Sequence, residues 1–471
     1  MYKIFEEKTK GFLEHLKKGY LIMKKIFALP LTLSMIFSTV SPVLAAEPSE
    51  EPAGGCVIEE VTEENLTGEY SAAYEAAGYQ ATFTYVAGED EDIAKIEVLG
   101  DFQWVTDELA EEFIASDYSS QIRILSAYEY VDGAFHTGYS NPGGAGEYPE
   151  GICYDGGFLN YTMTEVADDV YQITMPMPAG FYRYEYRITD SKGESVLVDD
   201  PCNDFGYTIE ENNPTPADWS LILVGTADEV SETEAYAYPI EDTSKQGTVE
   251  KAVIKTYLGT DQGIAVYLPY DYDENDTEPY KTLYVAHGST ENEDTWMVAG
   301  ALPNMMDRLI AEGRIDHTIV VTMDNCVPLN NYADDVPRNF VECLIPYIEE
   351  NYNVSTDPEN RAICGSSRGG QMVYDMMSDY PDLMKYYGAF SFRREVDMEA
   401  LFPAETVEAL KDSYICLGRG NVEPATPAML TKYNDLIELG LENVVLYDSI
   451  GAHDWRNWRS IYEQYVDYLG W

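Results

Sequence analysis

The chain has 471 residues, of which 45% are hydrophobic and 13% aromatic, which is typical of a folded protein with two or three domains. Its 84 acidic residues outnumber the 29 basic ones and give a formal net charge of −55 at pH 7. This charge argues against nucleic acid and anionic membrane surfaces as partners, because no basic patch would offset their phosphate charge.

Residues 1–46 have the pattern of a leader with a secretory signal peptide that starts at Met23. Two lysines form its basic segment, residues 26–40 are mostly apolar, and small residues suited to cleavage end at Ala46. The apolar run is shorter and more interrupted than a membrane-spanning helix needs. We therefore predict a secreted, extracellular protein without membrane insertion. Cys56 lies too far beyond the apolar run to favour a lipid anchor.

The next part of the chain changes from a polar linker to a β-rich pattern. Residues 47–78 are predicted to form an acidic linker. Apolar and polar residues then alternate in short runs, such as 80–86 and 180–188, as in half-buried antiparallel strands. The pattern predicts an all-β sandwich over residues 79–208. A connector is predicted at residues 209–245.

From residue 246 to residue 471, strand patterns alternate with helix patterns. This alternation predicts an α/β domain whose mostly parallel sheet is covered by helices on both faces. In such sheets, ligands bind at the carboxyl ends of the strands. The helix predicted over residues 338–352 contains Pro346 and should kink or restart there, because proline cannot donate a helical hydrogen bond.

The sequence Gly365-Ser366-Ser367-Arg368-Gly369 has the form of a nucleophile elbow, in which a serine lies on a tight turn between a strand and a helix. Only Ser367 has a glycine two residues away on each side, where neighbouring Cβ atoms would collide. We therefore predict that Ser367 is a catalytic nucleophile.

A serine hydroxyl needs an adjacent base to act as a nucleophile, and histidine is the usual one. Four histidines follow the leader, at positions 136, 287, 317 and 453. His453 comes after the last predicted strand and before the final predicted helix, which is where α/β-hydrolases carry their base. We therefore predict that His453 is the catalytic base.

The loop that begins at His287 follows a predicted strand and is placed to form part of an oxyanion hole. Its backbone N–H at Ser289, together with the N–H of Arg368 after the nucleophile, would bind the oxyanion. His287 and Trp296 are candidates for substrate contact, with a structural role as the alternative for each.

The acid that completes the triad should follow the predicted strand at residues 414–418. Glu423 is the first carboxylate after that strand, whereas the nearer Asn421 has no charge to stabilise an imidazolium. Asp448, at the end of the last predicted strand, is the alternative. The seven cysteines contain no Cys-x-x-Cys pair, and we expect neither a metal nor an organic cofactor.

Four segments of the α/β domain resemble the esterase D group of α/β-hydrolases, which includes carbohydrate esterase family 1 with its feruloyl and acetyl xylan esterases. The segments are Tyr284–Trp296, Pro346–Tyr352, Gly365–Gly370 and Gly451–Trp458. The resemblance covers residues 246–471 and implies an α/β-hydrolase fold with the roles given above for Ser367 and His453. The chain departs from the family pattern at positions 289 and 368, and it has Asn421 or Glu423 where an aspartate is expected.

The upstream region resembles an early-set immunoglobulin-like module, similar to the CBM48-type glycogen-binding domains that precede some carbohydrate esterases. The resemblance rests on Leu99–Phe102, Met177–Tyr184 and Asp199–Asn203. It implies a sandwich without requiring that the module bind sugar.

These observations together predict a secreted serine esterase that removes feruloyl or acetyl groups from xylan of the plant cell wall through an acyl-enzyme. Its partner would be an acylated polysaccharide or oligosaccharide. One alternative is a carbohydrate-binding protein with an inactive esterase domain. Another is an esterase for a different ester, such as a siderophore, because one fold supports many substrates.

Overall fold

Two antiparallel sheets enclose the first core of the protein in a computed structural model of the chain. The structure describes residues 54–62, 78–88, 91–100, 103–105, 126–130, 135–138, 162–177, 179–203, 205–207, 219–289, 291–326, 332–394, 397–420, 426–449 and 453–471. The predicted leader and most of the predicted linker lie outside these residues.

The strands of the N-terminal part form three sheets among the described residues. In chain order they are β1 (Gly55–Glu60), β2 (Tyr79–Val86), β3 (Lys95–Gly100), β4 (Gln103–Val105), β5 (Ser126–Tyr130), β6 (Phe135–Gly138), β7 (Thr164–Ala167), β8 (Val170–Pro176), β9 (Gly180–Thr189), β10 (Ser195–Val198), β11 (Gly206–Tyr207) and β12 (Trp219–Val224). One sheet has the order β1-β2-β8-β7, and a second joins β10, β9, β12 and β11, with β3 also paired to β9. The small third sheet has the order β4-β6-β5.

The first two sheets share a core because alternate side chains of their strands point between them. Phe83 of β2 packs edge-on against Tyr184 of β9 with ring centroids 5.0 Å apart. Tyr85 packs in the same way against Tyr186 at 5.3 Å. The strands predicted from alternation at residues 80–86 and 180–188 are thus present as β2 and β9.

The C-terminal part contains an eight-stranded sheet with the order β13-β14-β16-β15-β17-β18-β19-β20. Its strands are β13 (Thr248–Lys255), β14 (Asp261–Leu268), β15 (Lys281–Ala286), β16 (Thr318–Met323), β17 (Arg361–Ser366), β18 (Tyr386–Phe390), β19 (Tyr414–Gly420) and β20 (Val444–Ser449). β13 and β14 run antiparallel, whereas the six strands from β16 to β20 in the sheet order are mutually parallel. The predicted mostly parallel sheet is therefore confirmed.

Helices cover both faces of this sheet, as predicted. They are α1 (Glu232–Ala235), which precedes the sheet, α2 (Glu293–Val298), α3 (Leu302–Ala311), α4 (Tyr332–Asn339), α5 (Ile345–Asn351), α6 (Arg368–Asp379), α7 (Met398–Leu401), α8 (Ala404–Leu410), α9 (Thr426–Glu438) and α10 (Trp455–Leu469). Single 3-10 turns lie at Ala227–Glu229, Thr243–Lys245 and Pro358–Asn360. None of the described helices is long and apolar enough to cross a membrane.

The helix predicted over residues 338–352 is interrupted, as the proline in it requires. A π-helical turn, Phe340–Leu344, separates α4 from α5, and Pro346 lies in the first turn of α5. The missing N–H of a proline costs nothing in a first turn, since the first amides of a helix have no helical acceptor.

The described part of the predicted connector, residues 219–245, is packed against both neighbouring regions. Its apolar patch forms β12, which pairs with β9 and so belongs to the N-terminal sheet. Trp219 and Tyr238 are buried in the same cluster as Trp296 of α2. The N-terminal and C-terminal sheets are therefore joined by a continuous apolar core.

A buried ion pair reinforces this junction. Glu234 of α1 accepts a hydrogen bond of 2.6 Å from Arg459 of α10, and both side chains are 3% exposed. Arg459 also donates to the carbonyl of Ala299 at 2.9 Å. Its guanidinium lies 5.2 Å from the ring centroid of Phe181 on β9. One arginine of the last helix thus contacts three separate regions of the chain.

Candidate active site

Ser367 lies at the turn between β17 and α6, at the carboxyl end of a central parallel strand. Its backbone has φ 53° and ψ −112°, a conformation that residues other than glycine seldom adopt. The Ser367 N–H donates to the carbonyl of Phe390 on β18 at 2.8 Å. The neighbouring strand therefore helps to hold this strained backbone in place.

The glycines on both sides of Ser367 are required by close backbone contacts. A Cβ atom on Gly369 would lie 2.2 Å from the carbonyl oxygen of Ala286. A Cβ atom on Gly365 would lie 2.7 Å from the carbonyl carbon of Gly369. Both distances are shorter than any non-bonded carbon contact, so the first turn of α6 packs against β15 and β17 only because these residues lack side chains.

His453 is brought to Ser367 from the loop that precedes α10. The His453 Nε2 lies 3.0 Å from the Ser367 Oγ, which is within hydrogen-bond reach for a base and its nucleophile. The imidazole packs at 83° against the ring of Trp458, with centroids 5.0 Å apart. The next residue, Asp454, caps α10 by accepting the N–H of Asn457 at 2.9 Å. The ring is therefore attached to the ordered start of a helix.

Asn457 holds the start of α10 in place, and the sequence analysis does not identify it. The side chain is fully buried and donates to the Ser391 Oγ after β18 at 3.2 Å. Its carbonyl oxygen accepts a hydrogen bond from the Ser449 hydroxyl at the end of β20. Asn457 thus ties the helix behind His453 to two strand ends. The signal available in the sequence is its position three residues after the helix-capping Asp454.

His287, a candidate for substrate contact, instead holds two loops together. Its side chain is 1% exposed and accepts the N–H of Asn325 at Nε2, at 3.0 Å. The Nδ1 atom therefore carries the proton and donates to the carbonyl of Gly288 at 2.8 Å. The amide of Asn325 returns a bond to the His287 carbonyl at 3.1 Å. A ring so buried and bonded joins the loops after β15 and β16 and corresponds to the structural alternative.

His287, Asp324 and Cys326 bring three potential metal ligands within 4.8 Å of one another. However, the Nε2 of His287 already accepts a backbone N–H, and the carboxylate of Asp324 accepts the N–H of Cys326 at 2.7 Å. The guanidinium of Arg368 lies 3.9 Å from the Cys326 sulfur and opposes a bound cation. These hydrogen bonds mark the group as a connection between loops.

Trp296, the other candidate for substrate contact, lies in the core beneath the site. Its side chain is 0% exposed. Its ring centroid is 5.1 Å from that of Trp455 and 5.5 Å from that of Tyr462. A fully enclosed ring offers no surface to a substrate, so the structure places Trp296 in the packing that supports α2 and α10.

The two predicted oxyanion donors belong to the start of α6 and to the loop after β15. Arg368 is the first residue of α6, where backbone N–H groups point out of the helix. Ser289 follows Gly288, and a Cβ atom on Gly288 would lie 3.4 Å from the Cβ of Ser367. The loop after β15 therefore comes close to Ser367. The oxyanion role of the two N–H groups remains a prediction.

Glu291 is a further group at the site that the sequence did not single out. Its carboxylate accepts the N–H of Gly288 at 2.7 Å. Burial raises the pKa of Glu291, while His287, the Gly288 N–H, Arg183 and His453 oppose that rise. In a chain with 84 acidic residues, no local pattern distinguishes this glutamate from exposed ones.

The structure describes only one of the two candidate acids of the triad. Glu423, together with Asn421, lies outside the described residues, so its role remains a prediction. Asp448 lies on β20, where its carboxylate forms an ion pair with Arg419 on the neighbouring strand β19. The Asp448 side chain is 56% exposed.

Comparison with known proteins finds similarity to esterases. Residues 255–462 match a family model described as "Putative esterase". The chain is 30% identical over 222 residues to an endo-1,4-beta-xylanase/feruloyl esterase of Xylanibacter ruminicola, covering 45% of this chain and 30% of the relative. It is 32% identical over 154 residues to an endo-1,4-beta-xylanase Y of Acetivibrio thermocellus, covering 29% of this chain and 14% of the relative.

The fold is also found in a solved structure of greater coverage. The enterobactin esterase of Shigella flexneri aligns with a TM-score of 0.50 and 14% identity over 83% of this chain and 93% of its own. This alignment extends well beyond the residues that match the family model and shows a shared fold. The chain spans less than a third of the length of the two curated relatives.

Proposed function

We propose that this protein is a serine carboxylic-ester hydrolase. The observation that carries the proposal is the 3.0 Å separation between the His453 Nε2 and the Ser367 Oγ at a strained turn between strand and helix. A serine in this position is exposed at the end of the sheet and has a base within reach of its proton.

The mechanism follows from this pair. His453 accepts the proton of Ser367 as the hydroxyl oxygen attacks the ester carbonyl, and the backbone N–H groups of Ser289 and Arg368 stabilise the oxyanion. His453 then returns the proton to the departing alcohol, which leaves an acyl-enzyme. A water molecule, activated by the same imidazole, releases the acid and restores Ser367.

Glu423 is our proposed acid of the triad. It would orient His453 and stabilise the imidazolium that forms during attack. The ion pair between Asp448 and Arg419 favours this choice, because a carboxylate committed to an arginine is a weaker partner for a histidine.

We propose ferulate or acetate esters of xylan as the substrates and secretion as the location. The named activities of the curated relatives, xylanase and feruloyl esterase, support the substrate class. The basic and apolar pattern of the leader supports secretion. We assign the N-terminal sheets to an early-set immunoglobulin-like module on the motifs named above.

The experiment compares wild-type protein with Ser367→Ala on p-nitrophenyl acetate and methyl ferulate. Ser367→Ala should lower kcat by about 10³-fold or more, because the acyl-enzyme can no longer form. Ser366→Ala is the matched control, since this neighbouring hydroxyl is buried and has no hydrogen-bond partner among the described residues. A wild type no faster than Ser367→Ala would favour a carbohydrate-binding protein with an inactive domain. Activity confined to siderophore esters in a wider panel would overturn the xylan assignment.

A further inference from the structure

Glu291 is bonded to the loop that comes close to the nucleophile. Its Oε2 accepts the N–H of Gly288 at 2.7 Å, and Gly288 immediately precedes the proposed oxyanion donor Ser289. A Cβ atom on Gly288 would lie 3.0 Å from that Oε2 and 3.4 Å from the Cβ of Ser367. The carboxylate and the nucleophile therefore both lie close to Gly288.

An oxyanion donor acts best when its loop is already fixed, because a preorganised N–H group stabilises the developing charge without reorganisation. The hydrogen bond from the Gly288 N–H to Glu291 supplies such a restraint, and burial raises the pKa of the Glu291 carboxyl.

We propose that Glu291 is a positioning residue that fixes the oxyanion loop through Gly288. The inference rests on the esterase function proposed above.

The test separates the hydrogen bond that Glu291 accepts from the charge that its side chain can carry. Glu291→Gln keeps a carbonyl oxygen for the Gly288 N–H, whereas Glu291→Leu removes the acceptor. We expect Glu291→Leu to lower kcat by about 10-fold or more with KM within about 2-fold, and Glu291→Gln to retain kcat within about 3-fold. An unchanged kcat in Glu291→Leu, or an effect on KM alone, would overturn the positioning role.

All variants are compared with Ser367→Ala in the same ester assay, with circular dichroism as the check of folding. If the wild type does not exceed Ser367→Ala, the proposed function itself fails and this inference falls with it. If the wild type is active and the Glu291 variants behave alike, only the positioning role fails.

Discussion

The identity of the triad acid is decided at a single residue. Glu423→Gln should lower kcat by about 10⁴-fold, because an amide cannot stabilise the imidazolium and favours the wrong tautomer of His453. The measurement is kcat on p-nitrophenyl acetate at neutral pH. Asp448→Asn is the paired variant, and its ion pair with Arg419 leads us to expect nearly full activity. The reverse result, with a slow Asp448→Asn and an active Glu423→Gln, would assign the acid to Asp448.

The residues at the site differ in how readily they can be identified from the sequence. The positions of Ser367 and its glycines could be predicted because a tight turn imposes a local backbone requirement on the chain. His453 could be predicted because its order in the chain is fixed by the fold. Asn457 acts through hydrogen bonds to Ser391 and Ser449, which come from other parts of the chain and leave no short-range pattern. Glu291 bonds to nearby Gly288, but it is one of 84 acidic residues and its local sequence does not distinguish it.

At the scale of elements, the start of α10 determines the orientation of His453. Asp454→Ala removes the helix cap and should cost about 1 kcal/mol of stability. It should also lower kcat by about 10-fold, because a small displacement of the imidazole weakens proton transfer. Thermal melting and kcat are the two measurements.

The matched control for Asp454→Ala is Asp397→Ala, which removes the equivalent cap of α7. Asp397 accepts the N–H of Ala400 at 3.2 Å in a helix that contributes no residue to the site. We expect a comparable loss of stability with full activity. Equal kcat values for the two variants would contradict a role of the α10 cap in positioning His453.

A buried carboxylate on α3 makes the stability of the folded state depend on pH. Asp307 accepts hydrogen bonds from the Gly247 N–H and the Tyr267 hydroxyl, each at 2.7 Å, and burial raises its pKa from 3.8 to about 6. The folded state therefore holds a proton that the unfolded state releases, and this contribution to stability is lost as the pH rises from about 4 to above 6.

The test is the variant Asp307→Asn, which keeps an oxygen acceptor and cannot ionise. Relative to the wild type, the free energy of unfolding of this variant should rise by up to about 3 kcal/mol between pH 4 and pH 7. Melting temperatures measured over this pH range detect the change. Asp316→Asn, at a carboxylate that is 69% exposed, should show no such gain. Parallel pH profiles of wild type and Asp307→Asn would contradict the prediction.

The elements themselves were largely predictable. Period-2 alternation identified β2 and β9, and Pro346 marked the restart of the helix at α5. The π-helical turn Phe340–Leu344 was not predicted, because it depends on packing of the surrounding helices rather than on a local sequence signal.

For the whole molecule, we expect the buried ion pair at the junction between the two parts to contribute to stability. Glu234→Gln should destabilise the protein by about 3–5 kcal/mol, because it leaves the buried Arg459 without its charge partner. The double variant with Arg459→Met should lose less than the sum of the single losses. Denaturant unfolding of the full chain measures both quantities.

The control pair is Arg338 and Glu342, which are joined at 2.8 Å on the surface, where both side chains are about half exposed. Glu342→Gln should cost less than about 1 kcal/mol. A cost for Glu234→Gln no larger than this would mean that the junction contributes little to folding.

The junction also shows where prediction from sequence ended. The sequence predicts a connector at residues 209–245, which are polar on average, whereas the structure buries Trp219 and Tyr238 in the core. Whether an aromatic residue in a polar segment packs inward is decided by surfaces that come from far along the chain, and no local pattern records them.

The shared core limits how this protein can be recombined with others. The segment that matches the esterase family model, residues 255–462, does not include β9 and β12. Aromatic side chains of these two strands complete the core of the segment. A gene fusion cut at the family boundary would expose the apolar faces of Trp296 and α10 to water. The N-terminal and C-terminal sheets therefore have to be transferred together when this protein is fused to others.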